Sequence, residues 1–211
     1  MLRGVEYLES DAKRRFDVVV AHALRPARTA ARLGASASFG YEIHRDTRVG
    51  QGGRLVEVPK IKTLDERGVP LNAVADSYRK KALDELEQLT MVEHGDMSMI
   101  GTRHLLPDEY DMIRTIAKRT KRGRRLLARH DDIVMPAKRG LLSTFALNAH
   151  VHGEHAVERR LALDVHDHEN ASFAYDLRMI MRTMRAATTN ELVSGIHRVV
   201  DHDASVDTPR R

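Results

Sequence analysis

Apolar positions recur at helical spacing over most of this chain. Within KRRFDVVVAHALRPARTAARL, residues 13–33, Val20, Leu24, Ala27 and Ala31 fall three or four apart and predict a helix. A break is expected at Pro26, whose ring cannot join an uninterrupted helical backbone. Arg25, Arg28 and Arg32 share a second face of the same stretch, which makes it a basic amphipathic helix. Such a helix either lies on an anionic lipid surface or holds its arginines in water. Between residues 34 and 64 the period changes. Runs of β-branched and aromatic residues flank Gly50-Gln51-Gly52-Gly53, which predicts a short hairpin closed by a glycine turn. Helical spacing returns over 76–93, where Tyr78, Ala82, Leu86 and Leu89 form the apolar stripe. It recurs around Asp108–Arg119, and over 156–188 as two pieces separated near HENAS. The polar tail DHDASVDTPRR predicts disorder. The pattern as a whole describes an α+β fold, predominantly α, with helices around a small β-hairpin. Its expected divisions are an N-terminal extension at 1–12, one domain at 13–188, and a helix end with a disordered tail at 189–211.

Composition narrows this picture. A chain of 211 residues is long enough for one real core, but aromatic residues are 4% and tryptophan is absent. The core must therefore rest on Leu, Val, Ile, Met and Ala. With no cysteine there is no disulfide frame, no thiolate zinc site and no cysteine nucleophile. A net charge of +5 favours anionic partners: phosphates, nucleic acid or an acidic membrane surface. No run of about 18 apolar residues occurs. The first residues also lack the apolar segment of a secretory signal. A cytoplasmic location is expected, with peripheral attachment at the inner face of the cytoplasmic membrane as one form of it.

Three basic or histidine-rich groups invite other readings. KRTKRGRR, residues 118–125, is the densest basic cluster, yet stacking aromatics are nearly absent around it, so nucleic acid is the weakest of the three partners. His150, His152 and His155 form one histidine group and His166-Asp167-His168 another; neither has the spacing of a helical HExxH zinc site.

The stretch ALDELEQLTMVEHGDMSMIGTRH, residues 82–104, carries the strongest chemistry. Taken alone, Asp84 and Glu85 on an ideal helix lie opposite the apolar stripe beside Lys80 and Lys81, an exposed face with weak ion pairs. The surrounding residues change that reading. Arg79, Lys80, Leu83, Asp84, Glu85, Leu86, Gln88, Leu89, Gly95, Asp96, Met97, Ser98, Gly101, Arg103 and Leu105 stand in one ungapped register. That register resembles the signature R-K-x-S-L-D-E-L-P-Q-L followed by G-D-M-S-L-V-G-P-R-P-L of the bacterial sugar transferases, the monotopic polyprenyl-phosphate phosphoglycosyltransferases. KRRFDVVVA, RDTRVGQGG and ERRLALDVHDHENASFAYDLRMIMRT are similar to further family segments, so the resemblance runs from about Lys13 to Thr188.

The resemblance implies transfer of a sugar 1-phosphate from a nucleotide diphosphate sugar to a polyprenyl phosphate or related acceptor, in polysaccharide or glycoconjugate synthesis. It implies Asp84 as the nucleophile that forms a covalent phosphosugar, and Glu85 as the acid that helps place Mg2+ and the diphosphate. Arg79, Arg103 and Lys62 match phosphate-binding positions, and the Arg fork suits a phosphate. Asp96 and His150 fall at supporting positions, although an acid in a glycine turn also serves simply to bond nearby amides.

The chain departs from the family at identifiable places. Ala82 replaces the serine before the dyad, which removes a capping box with Glu85, and Glu87 replaces a proline. Without these signals the helix is expected to continue through the dyad. The P-R-P element reads Thr102-Arg103-His104, and the late glycine-rich motif reads RGLLSTFALNAH, with Ala146 and His150 at altered positions. The family begins with an apolar re-entrant helix. Here that region holds Arg25, Arg28 and Arg32, each costing roughly 2.5–3.5 kcal/mol at mid-bilayer depth. Surface attachment through these arginines is the alternative to deep insertion. A second class of function also fits these losses: a non-catalytic relative that binds a nucleotide sugar, a lipid phosphate or a protein partner.

Overall fold

The computed structural model describes residues 3–147 and 155–188. Three helices open the chain: α1 (Arg3–Leu8), α2 (Asp11–Ala23) and α3 (Arg25–Ser38). Ser10 caps α2 by accepting a hydrogen bond from the Lys13 amide. The expected break falls at Leu24, and Pro26 occupies the first turn of α3, where a missing N–H leaves no carbonyl unpaired. The domain boundary expected after residue 12 lies inside α2.

The hairpin forms as expected. Strands β1 (Ile43–Val49) and β2 (Leu55–Ile61) pair antiparallel, from Ile43 opposite Ile61 to Val49 opposite Leu55. Gly52 and Gly53 turn the chain with φ of 65° and 80°, a region side chains disfavour. Helix α4 (Ala73–Lys80) follows, capped by the Asn72 side chain accepting from the Ala75 amide. Then come a 3-10 helix (Leu83–Gln88), α5 (Leu89–His94) and β3 (Ser98–Ile100). Helices α6 (Pro107–Ala117) and α7 (Lys121–Ile133) precede β4 (Gly140–Leu142) and α8 (Thr144–Leu147). The last described elements are α9 (Ala156–Glu169) and α10 (Phe173–Thr188), the two pieces expected around HENAS. The polar tail lies outside the described residues.

Three features differ from the sequence expectation. The helix predicted over 76–93 is interrupted, because Ala82 takes a left-handed conformation with φ 53° and the chain continues as a 3-10 turn. The basic cluster starts α7, where the Thr120 hydroxyl caps the helix by accepting from the Gly123 amide, and Lys121, Arg122, Arg124 and Arg125 face solvent. Third, β3 and β4 pair in parallel, Ser98 with Gly140 and Ile100 with Leu142. These strands are too short to show a period. Gly140 is required there, since a Cβ on it would sit 2.1 Å from the Gly101 nitrogen.

The core rests on aliphatic and Met side chains, as the scarcity of aromatics demands. Ala21, Leu89, Val92, Met97, Met99, Ile100, Leu141 and Met179 join α2, α5, the parallel pair and α10. A second cluster of Leu105, Ile113, Ala117, Leu127, Val157 and Leu161 joins α6, α7 and α9. A third, of Ala31, Ala35, Ile61 and Tyr78, seats the hairpin against α3 and α4. Polar ties complete the assembly. The buried Lys13 ammonium donates to Asp17 at 2.9 Å and to Asp176 at 2.6 Å, and Tyr7 also donates to Asp176. Asp17 in turn accepts from the Met99 amide. One lysine thus connects α2 to α10 and, through Asp17, to β3.

Candidate active site

The dyad owes its position to the interruption after α4. Leu83 and Leu86 pack on the cluster of Ala31, Ala35, Ile61 and Tyr78. With those two leucines turned inward at 3-10 spacing, Asp84 and Glu85 are carried toward the hairpin rather than toward solvent. Asp84 is 6% and Glu85 8% exposed. The exposed-face expectation for the pair is therefore overturned. Lys80, expected beside it, pairs instead with Asp76 at 2.6 Å.

Around Glu85 the charges alternate. Arg103, in the loop after β3, donates to Glu85, and the Lys60 ammonium of β2 lies 3.8 Å from the same oxygen. Lys60 also lies 3.3 Å from Asp46 of β1, and Asp46 accepts from Arg48 at 2.7 Å. Arg48 completes the run by donating to the His104 carbonyl. Beside this network opens a cleft of about 440 Å³ lined by Asp84, Arg79, Arg48, Lys60, Lys62 and His44, among others. Among the described residues Asp84 makes no ion pair and no side-chain hydrogen bond; its cations act through space.

The two acids are consequently held differently. Burial, and then the adjacent Glu85 charge, push Asp84 up to about 6, against the pull of Lys60, Arg79 and Arg103. Burial also acts on Glu85, but Arg103 and Lys60 outweigh it and hold Glu85 below the ordinary carboxylate range. For Asp46 burial is outweighed by Arg48 and Lys60, which bring it down to about 2. His104, standing where the family pattern has proline, is pushed by burial and three neighbouring arginines to about 3, so it adds no charge.

The structure gathers some predicted residues and scatters others. Asp84, Glu85, Arg79 and Arg103 come together. Lys62 lines the cleft, with its ammonium 3.0 Å from Glu42. Asp96 is exposed and is not among the residues lining the cleft. His150 lies outside the described residues. Arg25 and Arg28 reach Glu93 at 2.8 and 3.9 Å, and Arg32 grips Glu87 through two donors at 2.7 and 2.5 Å. Two departures from the family pattern thus meet: Glu87, at the proline position, holds Arg32, from the region expected to be apolar. Sequence reading missed Lys60, Asp46 and Arg48. The available signal was strand alternation, which puts Lys60 on the same face of β2 as the position of Lys62.

Of the histidine group on α9, Asp167 and His168 belong to the interior and His166 is exposed. His168 is buried with its Nδ1 on the Asp164 carbonyl, while Asp167 accepts from the Tyr175 hydroxyl and the Thr144 amide. Among the described residues no three His, Cys, Asp or Glu side chains are grouped to hold a metal. A magnesium ion is nevertheless compatible with the dyad. Such ions commonly take one or two carboxylates and complete their shell with substrate phosphates and water. Asp84, raised by burial and then by the adjacent Glu85 charge and lying at the wall of an open cleft, fits that donor set.

A sequence profile described as bacterial sugar transferase matches residues 8–190. The chain belongs to the bacterial sugar transferase family. It is also similar to the sugar transferase EpsL of Bacillus subtilis (strain 168), itself described as uncharacterized, with 30% identity over 159 residues and 70% of each chain covered. Membership makes this chain a transferase of sugar groups, and the buried dyad with its cationic cleft is the place where the family signature and the geometry coincide.

Proposed function

We propose that this bacterial sugar transferase moves a sugar 1-phosphate from a nucleotide diphosphate sugar to a polyprenyl phosphate or related phosphate acceptor, through a phosphosugar held covalently on Asp84. The observation that carries this reading is the unpaired Asp84 carboxylate at the wall of a cleft rimmed by Arg79, Arg48, Lys60 and Lys62. An acid raised to about 6 is largely ionised at neutral pH yet more basic, and so more nucleophilic, than an ordinary aspartate. In the first half-reaction an Asp84 oxygen bonds to the phosphorus that bears the sugar, and the bond from that phosphorus to the nucleoside monophosphate breaks. In the second, an acceptor phosphate oxygen bonds to the same phosphorus and Asp84 leaves as a carboxylate. Arg79 and Lys60 bind and orient the diphosphate oxygens, lowering the repulsion that a carboxylate nucleophile meets. Arg103 holds Glu85 ionised and fixed beside the nucleophile. Magnesium, held by Glu85 with Asp84 and phosphate oxygens, would supply further charge neutralisation.

The test is intact-protein mass spectrometry after mixing with a panel of nucleotide sugars and magnesium, without acceptor. A sugar-phosphate adduct and about one equivalent of nucleoside monophosphate are expected, both absent in Asp84→Asn. Tight donor binding with neither product would instead identify a binding relative.

A further inference from the structure

Strand alternation puts His44, Asp46 and Arg48 on one face of β1, and all three line the cleft that holds Asp84. His44 is the most open of them, its side chain 58% exposed against 19% for Asp46. Its Nε2 lies 2.9 Å from Asp46 Oδ1, while Asp46 Oδ2 accepts from Arg48 and lies 3.3 Å from the Lys60 ammonium. Those cations hold Asp46 ionised, at about 2, and an ionised carboxylate can only accept. Nε2 therefore carries the hydrogen, and Nδ1 is the atom at which this ring gains or loses a proton. Among the described residues Nδ1 has no hydrogen-bond partner.

The chemistry of the cleft gives such an atom a task. A phosphate monoester takes up its second proton near about 6, the range in which an imidazole changes charge. Among the described residues lining the cleft, His44 is the one imidazole. Asp84 must stay ionised to attack. Arg48, Lys60, Lys62 and Arg79 are too basic to release a proton to such an oxygen, and Asp65 and Glu66 hold none at neutral pH. Most are also engaged: Lys60 with Asp46 and Glu85, Lys62 with Glu42, and Asp65 with the Arg67 and Val69 amides.

We propose that His44 is a catalytic residue, the acid and base that carries one proton through both half-reactions. In the first, Asp84 bonds to the phosphorus that bears the sugar. The bond to the nucleoside monophosphate breaks with its electron pair on the departing oxygen, and that oxygen takes the Nδ1 proton. In the second, the acceptor phosphate gives its own proton to Nδ1 as its oxygen bonds to the same phosphorus and Asp84 leaves as a carboxylate. One proton is given and one regained, so the cycle closes. Both oxygens belong to phosphate monoesters, so a single group of matched basicity serves both directions. Asp46 fixes the tautomer and stabilises the imidazolium.

This inference rests on the phosphosugar reading of Asp84, and one experiment separates the two. Rapid-quench measurement of nucleoside monophosphate release, with the nucleotide sugar panel, magnesium and no acceptor, reads the first half-reaction alone. His44→Gln should reach the full phosphosugar adduct, but about 100-fold more slowly. The wild-type rate should fall on the alkaline side as imidazolium is lost, and that limb should be absent in His44→Gln. Imidazole in the medium should speed His44→Ala and leave Asp84→Asn inactive. The His44 contact with Asp46 is open to solvent, so both His44 variants should keep the wild-type thermal midpoint. Wild-type burst kinetics in His44→Gln would overturn the proposal. So would a slower burst that keeps the alkaline limb, which is the mark of positioning alone. A wild type that forms no adduct would remove the Asp84 reading itself, and the proton shuttle with it.

Discussion

At the level of single residues, Asp84 and Glu85 are neighbours in sequence with opposite electrostatic fates. Glu85 has Arg103 and Lys60 against it, whereas Asp84 faces an open cleft with its cations at a distance. The sign for Asp84 follows directly. Its folded value, about 6, stands above that of an unfolded aspartate, so the folded protein keeps the proton in the window between the two. Stability from this group is therefore fullest below the unfolded value and is lost as pH rises through about 6. Asp84→Asn, which removes the buried charge, is expected to be more stable than wild type by about 1–3 kcal/mol near neutral pH. That advantage should vanish below pH about 4, as read from urea midpoints. Transfer by the wild type should fall as pH drops below about 6, because the protonated acid is no nucleophile. A rate flat down to pH about 4 would contradict the assignment. Neighbouring residue types announced the dyad, but its protonation did not follow from sequence, since burial and the positions of Lys60 and Arg103 decide it.

On the scale of elements, the 3-10 turn at Leu83–Gln88 explains why an apparently continuous helix delivers two buried acids. Tyr78, Ala82, Leu86 and Leu89 have helical spacing, and periodicity alone reads straight through them. Ala82 instead adopts φ 53°, at a cost of about 1 kcal/mol for a residue with a Cβ. Packing of Leu83 and Leu86 under the hairpin offsets that cost, and it is a contact between segments that no local pattern reports. Ala82→Gly is accordingly expected to raise stability by about 0.5–1 kcal/mol with the dyad geometry unchanged. Thermal or urea unfolding checks it; a loss of stability would mean that the left-handed turn is wrong. The hairpin and the α9–α10 pair, by contrast, were legible, because glycine turns and polar breaks act within a few residues.

Across the whole molecule, the Lys13 tie decides how α2 and α10 meet. One buried ammonium balances Asp17 and Asp176, two carboxylates distant in the chain. Replacing Lys13 by Met would leave both acids buried without a cation, and a loss of about 3–5 kcal/mol is expected, measured by denaturant unfolding.

By itself, the sequence determined the class of fold and the family, and it singled out Arg79, Asp84, Glu85 and Arg103, which the structure brings together. Those are properties of residue type and short-range register, which a single strand of text carries in full. Only the tertiary structure decided that the acids are buried, that Lys60, Asp46 and Arg48 join them, and that α3 spends Arg28 and Arg32 on Glu93 and Glu87 while α10 turns Phe173, Leu177, Met181 and Met184 outward. Burial and charge pairing depend on distances between segments far apart in the chain, and those distances exist only once the hairpin, the interrupted helix and the terminal helices have packed.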